Sequence, residues 1–441
     1  MAGLFQVFFW LSRDNLVTLN ENSFEKIESL SYSPFEGYDK NLLSSEQIAY
    51  DVNLFENFTN KLRTYGTLEA YKILQSSKDS NLPIDLGLWI GGDLEANNLE
   101  IQRALEILKE YPNRIQSVIV GNEVLLRKEL EPLELYAYID FMKSHTKKPV
   151  TTAETWDIWE KNLQLASHVD FLTIHILPYW EKVPIERYNE FIIEKYSVVE
   201  ELFPNRKIVI GETGWPSHGY NNNSAIPSIK NQAQAIRGFV NLAHEKGWHY
   251  NIIEALDQPW KGYDEGNVGQ YWGIFTTDRA LKFQLAGEVE LNKYWLYQMI
   301  AAIIIGALLT LFGLKNQRVN ISHAFAYAIA AQGMAFGIVM AAIYPFVNYM
   351  NFGMWIMWGM GSFLMIPLVI ITLAKANELF RSSIGVQPSR LVPLDLKSKN
   401  APLVSIHVPA YKEQPHVLAE TLESLSKLTY PNFEVLVIIN N

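Results

Sequence analysis

No cysteine occurs among the 441 residues, which removes disulfides and thiolate metal sites and says nothing about compartment. No basic cluster offsets a net charge of −10, and a surface that cannot neutralise phosphates is not expected to partner nucleic acid. No glycine-rich phosphate loop follows the first strand-like run, so the signature of an open doubly wound nucleotide-binding sheet is missing. His-Glu-x-x-His spacing is absent too, and no metal is expected. Charge itself is scarce in one place: from Tyr294 to Ala374 the only Lys, Arg, Asp or Glu side chains are Lys315 and Arg318. That depletion divides a mixed-charge part of the chain from a membrane-like one.

With 49% apolar and 13% aromatic residues the chain has ample material for a core. Eight short apolar, β-branched or aromatic runs lie between Ile27 and Trp260: Ile27–Ser33, Leu62–Tyr65, Ile84–Ile90, Ile115–Val124, Pro149–Glu154, Val169–Ile176, Lys207–Gly214 and Tyr250–Leu256. Helically spaced stretches separate them, as in Glu100–Leu108, where Ile101, Ala104, Leu105 and Leu108 recur on one face. This α/β alternation predicts a (β/α)8 TIM barrel over residues 22–288. Residues 1–21 open with an apolar stretch of about half the length needed to cross a bilayer, the expected remnant of an anchor.

Trp295–Leu314, Ile321–Val347 and Phe352–Ala374 each run at least 20 residues without Lys, Arg, Asp or Glu, which predicts three transmembrane helices within residues 293–375. Gly333, Gly337, Gly353, Gly359 and Gly361 would let those helices approach closely. Lys315 and Arg318 lie in the first loop, the loop from Asn348 to Asn351 has no charge, and Lys375, Arg381, Arg390, Lys397 and Lys399 follow the last helix. Basic segments stay in the cytoplasm, so the barrel is expected to be extracytoplasmic and the carboxyl-terminal segment cytoplasmic, with the lipid bilayer as a partner. Residues 376–400, containing Pro388 and Pro393, read as a linker. Residues 401–441 read as strand, helix, strand, a βαβ unit of about 40 residues that is too small to fold alone and resembles the opening of a longer domain.

Two acids stand at strand ends: Glu123 in Val120-Gly121-Asn122-Glu123 and Glu212 in Ile210-Gly211-Glu212-Thr213-Gly214-Trp215-Pro216. They belong to the fourth and seventh strands, whose tails face one another across a barrel mouth. A separation of about 5 Å would suit a retaining glycosidase, with one carboxyl protonating the leaving oxygen and the other attacking the anomeric carbon. Repulsion between the two is expected to raise the pKa of the proton donor.

These two motifs resemble those of glycoside hydrolase family 17, the β-1,3-glucanase family. Further similarities are Leu62-Arg63-Thr64-Tyr65, Leu86-Gly87-Leu88-Trp89-Ile90 and Asp257-Gln258-Pro259-Trp260-Lys261. The resemblance implies a retaining (β/α)8 barrel without a cofactor, Glu123 as acid/base, Glu212 as nucleophile and Asn122 as a hydrogen-bond partner of the sugar. The order of barrel, apolar helices and Val404-Ser405-Ile406-His407-Val408-Pro409-Ala410-Tyr411-Lys412-Glu413 resembles bacterial membrane β-glucan synthases. In those proteins a GT-A-like family 2 glycosyltransferase follows the glucanase-like domain. It implies a bacterial inner membrane location and, only for a complete transferase, a nucleotide-sugar and a divalent metal; Lys412 departs from the Asn often found in that signature.

Sugar rings stack on aromatic faces while their hydroxyls need polar partners. Tyr32, Tyr65, Trp89, Trp156, Tyr179, Trp215 and Trp260 are therefore candidate stacking residues, and Arg63, Glu154 and Asp257 candidate polar contacts. His175 is expected either to bond a catalytic carboxylate or the sugar, or to serve structure alone. Three outcomes suit such a barrel on β-glucan: transglycosylation by elongation, branching or cyclisation, plain hydrolysis, or idle binding of a nascent chain.

Overall fold

A computed structural model describes residues 2–13, 16–19, 26–386 and 401–439. Part of the expected linker (387–400) and the start of the expected barrel domain (22–25) lie outside the described residues. The chain forms two units, one of Met1–Gly313 with Ala328–Leu373 and the other of Leu314–Tyr327 with Ala374–Asn441.

In the first unit, eight parallel strands close into a barrel: β1 (Leu30–Ser31), β2 (Leu62–Arg63), β3 (Ile84–Leu88), β4 (Ile115–Asn122), β5 (Val150–Thr155), β6 (Leu172–His175), β7 (Ile208–Thr213) and β8 (His249–Ile252). Each lies inside or within a residue of its predicted run. Pairing of Ile252 with Leu30 completes the circle. Strands covered on both faces are mostly apolar, and all five residues of β3 are buried, its one acid Asp85 paired with Lys61 at 2.7 Å and bonded by Ser117.

The outer helices obey local rules. In Leu94–Glu110 the Asp93 carboxylate caps the free N–H groups of Glu95 and Ala96, and Asn97, Ile101, Ala104 and Ile107 form the buried stripe. The helix Ile229–Lys246 ends at Gly247, whose φ of 67° suits a residue without a Cβ.

The structure adds a strand pairing the periodicity does not reveal. Leu16–Thr18 runs antiparallel to Glu288–Glu290 and ties the start of the chain to the end of the barrel.

The helices Trp295–Leu314, Ile321–Val347 and Phe352–Ser383 are long and apolar enough to cross a membrane. Large side chains such as Phe346, Phe352 and Phe363 are exposed along them. The segment Gly3–Leu11 is a short helix packed against the first two of these. Trp10 is buried with Ala302 and Val339, and the Gln6 amide donates to the Gln332 carbonyl at 2.6 Å. Close approach occurs at Gly306, where a Cβ would meet the Gln332 side chain. The expected glycines do not serve this way: Gly333, Gly337, Gly359 and Gly361 have no neighbour within 4 Å of such a Cβ, and Gly353 has only Asn351.

In the second unit the third apolar helix continues to Ser383, into the expected linker, because Lys375 and Glu378 pair one turn apart and extend it as a polar helix. His323 Nε2 donates to Asn377 Oδ1 at 2.8 Å, and the Asn377 amide donates to Gln317 at 2.9 Å. Val404–Ala410 and Phe433–Ile439 pair in parallel around the helix Pro415–Ser426, the expected βαβ unit. Its strands stay largely uncovered, with Leu436 and Ile439 exposed.

Candidate active site

Strands β4 and β7 end in a turn and in a tight crossing, and each places one acid. After β4 the chain reverses at Gly121 (φ 84°) and at Glu123 (φ 54°), a left-handed conformation that costs a residue with a side chain about 1 kcal/mol. The strain is held by its surroundings. Glu123 N donates to Ala153 O at 2.7 Å, and Glu154 on β5 accepts from Leu125 N and Leu126 N at 2.8 and 3.3 Å. On β7, Gly211 precedes the second acid because a Cβ there would collide with Thr173 and press on the His175 ring, 3.1 Å from its Cδ2.

The result is a convergent cluster. One carboxylate oxygen of Glu123, one of Glu212 and a ring nitrogen of His175 all lie within 4.8 Å of one another. His175 Nδ1 is 2.7 Å from Glu123 Oε1, and its Nε2 is 3.6 Å from Glu212 Oε1. Such a trio has the donor types of a metal site, yet Arg63 already supplies positive charge there. Its Nη1 lies 3.5 Å from Glu212 Oε1, its two terminal nitrogens lie 3.4 and 3.3 Å from His175 Nε2, and it donates to Asn122 Oδ1 at 2.7 Å and to the Gly211 carbonyl. A guanidinium only donates, so the ring nitrogen it faces accepts and Nδ1 is the donor toward Glu123.

Burial pushes the Glu123 carboxyl up, but the hydrogen bond from His175, with the charges of Arg127 and Arg63, outweighs it and holds the group below the usual range. This overturns the expected rise: cationic neighbours, not the second acid, dominate. Glu212 is 5% exposed, and its Oε1 has an ion-pair partner without accepting a hydrogen bond. Tyr65, at the same floor, donates to Ser31 at 2.9 Å; its phenol is kept protonated by burial and by the charge of Glu212.

Not every expected contact faces this space. Tyr32, Tyr179 and Trp215 are at most 1% exposed, so no sugar reaches their faces. Tyr32 donates to Asp51, Tyr179 to the Tyr220 carbonyl and Trp215 to the Ile226 carbonyl. Glu154 is wholly buried under the Glu123 turn, its carboxyl pushed up to about 7 chiefly by that burial. One Asp257 oxygen is taken by Lys282 at 2.7 Å and by Gly273 N. His175 bonds the Glu123 carboxylate and is 1% exposed.

Trp89, Trp156 and Trp260 stay partly open beyond the ends of β3, β5 and β8. Each carries a cation over one face: Arg127 at 4.4 Å, Lys195 at 4.4 Å and Lys40 at 4.2 Å respectively.

Sequence reasoning missed Glu254, Lys261 and Glu265. Glu254 and Lys261 pair at 2.8 Å while fully buried, and burial lifts Glu254 to about 7. Burial also raises Glu265, and the charges of Glu212 and Glu123 add to it. An acid inside Ile252-Ile253-Glu254-Ala255-Leu256 was a readable signal of a buried functional group.

Comparison with known proteins agrees with this geometry. A glucan 1,3-beta-glucosidase of Schizosaccharomyces pombe is 27% identical over 255 residues, covering 53% of this chain and 79% of that protein. A btgC protein of Aspergillus fumigatus is 26% identical over 272 residues, and there the match spans only 39% of the relative. A glycoside hydrolase family 17 β-1,3-glucanosyltransferase structure from Rhizomucor miehei shares the fold, with TM-score 0.54 and 24% identity over 59% of this chain and 97% of that one. Residues 29–273, more than half of the chain and including both converging acids, match the BtgE/BtgC glycoside hydrolase domain. The chain therefore belongs to the BtgE/BtgC glycoside hydrolase family, and its barrel is an enzyme of the retaining hydrolase and transglycosylase type.

Proposed function

We propose that the barrel remodels β-1,3-linked glucan by transglycosylation, with Glu212 as nucleophile and Glu123 as acid/base. The observation that carries the reading is the approach of the two carboxylates within 4.8 Å, short enough for direct attack and too short to seat a water between them as inversion requires. In the first step the glycosidic C–O bond breaks, a bond from Glu212 to the anomeric carbon forms, and the proton of Glu123 passes to the leaving oxygen. In the second, Glu123 takes the proton of an acceptor hydroxyl as that oxygen displaces Glu212. A glucan filling the mouth strips water from Glu123 and raises its pKa toward the protonated form the first step needs. The glucan substrate is supported by what the relatives are named for.

Asn122 and Tyr65 are the polar groups we assign to the sugar, with Trp89, Trp156 and Trp260 as stacking faces, while buried Arg63 holds Glu212 and Asn122 in place. Product analysis on a defined β-1,3-oligosaccharide tests the reading: products longer than the substrate are expected, and exclusively shorter ones would reduce the enzyme to a hydrolase. His175→Phe removes the hydrogen bond that holds Glu123 down, so the basic limb of the kcat/KM profile should move to higher pH; an unmoved limb would deny His175 that influence.

The apolar helices and the βαβ unit support a wider proposal, a bacterial inner-membrane glucan synthase in which the Val404–Ala410 unit begins a family 2 glycosyltransferase. The barrel would lie outside and receive the polymer made behind it. A topology reporter at Asn316 should read cytoplasmic and one in the barrel should not; the opposite pattern would overturn the arrangement.

A further inference from the structure

We infer a second carbohydrate site, where the loop after β7 meets the turn between the second and third apolar helices, holding a neutral glucan strand beside the catalytic mouth. The inference rests on the substrate reading above. Tyr220 and Asn221 form one wall, and Tyr344, Asn348, Tyr349 and Asn351 the other, around a cavity of about 400 Å³. Ligand pockets run about 300–1,000 Å³.

Its chemistry selects the occupant. No Lys, Arg, Asp or Glu lines the cavity, so a phosphate or a cationic headgroup would have no counter-charge. The one titratable base, His218, has its pKa lowered by burial and by Lys282, and stays uncharged near neutrality. What remains is phenols and amides, the groups that pair with sugar hydroxyls, beside the apolar side chains of Ile226, Pro227, Val347 and Met354, which suit C–H faces. Among the described residues the Asn221 amide and the Tyr344 and Tyr349 hydroxyls make no hydrogen bond. Tyrosines at helix ends also serve as interfacial anchors, but the Tyr349 ring turns edge-on to Tyr220 of the barrel loop at 6.2 Å.

Both walls are preorganised. Asn222 donates to Tyr179 O at 2.9 Å and Tyr179 to Tyr220 O at 2.6 Å, which pins the barrel loop. Trp358 donates to Ala341 O at 2.8 Å, joining the second and third helices behind the turn. The lining begins at His218, six residues after Glu212, in the loop that leaves the same strand end as the two acids. The proposal places a chain longer than the mouth across both.

The test uses the full chain in lipid nanodiscs, inactivated by Glu212→Gln, titrated calorimetrically with laminaritriose and with a β-1,3-linked decasaccharide. The decasaccharide should bind at least tenfold more tightly than the triose. Combining Tyr349→Ala with Asn348→Ala should cut that advantage below twofold with triose affinity unchanged. A persisting advantage, or a parallel loss for both sugars, overturns the site. Displacement of the decasaccharide by soluble phosphocholine also overturns it, in favour of a lipid headgroup. If neither sugar binds, the β-1,3-glucan reading itself falls.

Discussion

Glu212→Gln should lower kcat by about four orders of magnitude or more while leaving the barrel folded. The glutamine is nearly isosteric, and Glu212 Oε1 accepts no hydrogen bond, so little packing is lost with the charge. What disappears is the anion that the proposed mechanism sends to the anomeric carbon. Small-anion rescue separates the two acids. With an activated β-glucosyl substrate, Glu212→Gly plus azide should give the α-glycosyl azide, because azide enters from the face the nucleophile vacated. Glu123→Ala plus azide should give the β-product, because the glycosyl-enzyme on Glu212 still forms and azide resolves it. The reverse assignment of products would exchange the roles of the acids, and full activity of Glu212→Gln would remove the mechanism altogether.

Arg63→Met has the next largest expected effect, on activity and on folding together. Arg63 is 2% exposed and faces Glu212, His175, Asn122 and the Gly211 carbonyl at once. Deleting it leaves a buried carboxylate without its counter-charge, a loss of about 3–5 kcal/mol in stability when one partner of a buried pair is removed. The carboxylate would then lack its nearest cation, and activity should fall about 100- to 1,000-fold, the scale of losing one preorganised electrostatic partner. Denaturant unfolding and initial rates measure the two effects separately. Arg63→Lys should recover stability better than rate, since an ammonium restores charge without the planar fork that reaches several acceptors. Wild-type rates in Arg63→Met would show that Glu212 is not tuned by this contact.

The barrel was legible because its strands are covered on both faces. Burial of that kind demands runs that are mostly apolar, such as Leu86–Leu88 and Val118–Val120. The acids were legible because each breaks such a run beside a glycine. The aromatic residues were not, since Tyr32 and Trp215 have the same composition and strand-tail position as Trp89 and Trp260, yet pack inward. Hydrogen-bond partners distant in sequence make the difference: Asp51 for Tyr32, the Ile226 carbonyl for Trp215. Glu154 misled for the same reason, because the backbone turn whose N–H groups it binds belongs to the neighbouring strand's loop.

By itself the sequence determined the eightfold alternation, the positions of Glu123 and Glu212 at strand ends and the length of the three apolar helices. Each of these follows from local periodicity and the need to bury or expose a residue, which neighbours in the chain decide. Only the tertiary structure decided that Arg63 and His175 hold the two acids together, that the Glu123 carboxyl is held below its usual range and that a barrel loop and a helix turn share a cavity. Those outcomes depend on charges and donors brought within a few ångströms from separate strands, and Coulomb interactions at that range follow distance in space, not separation along the chain.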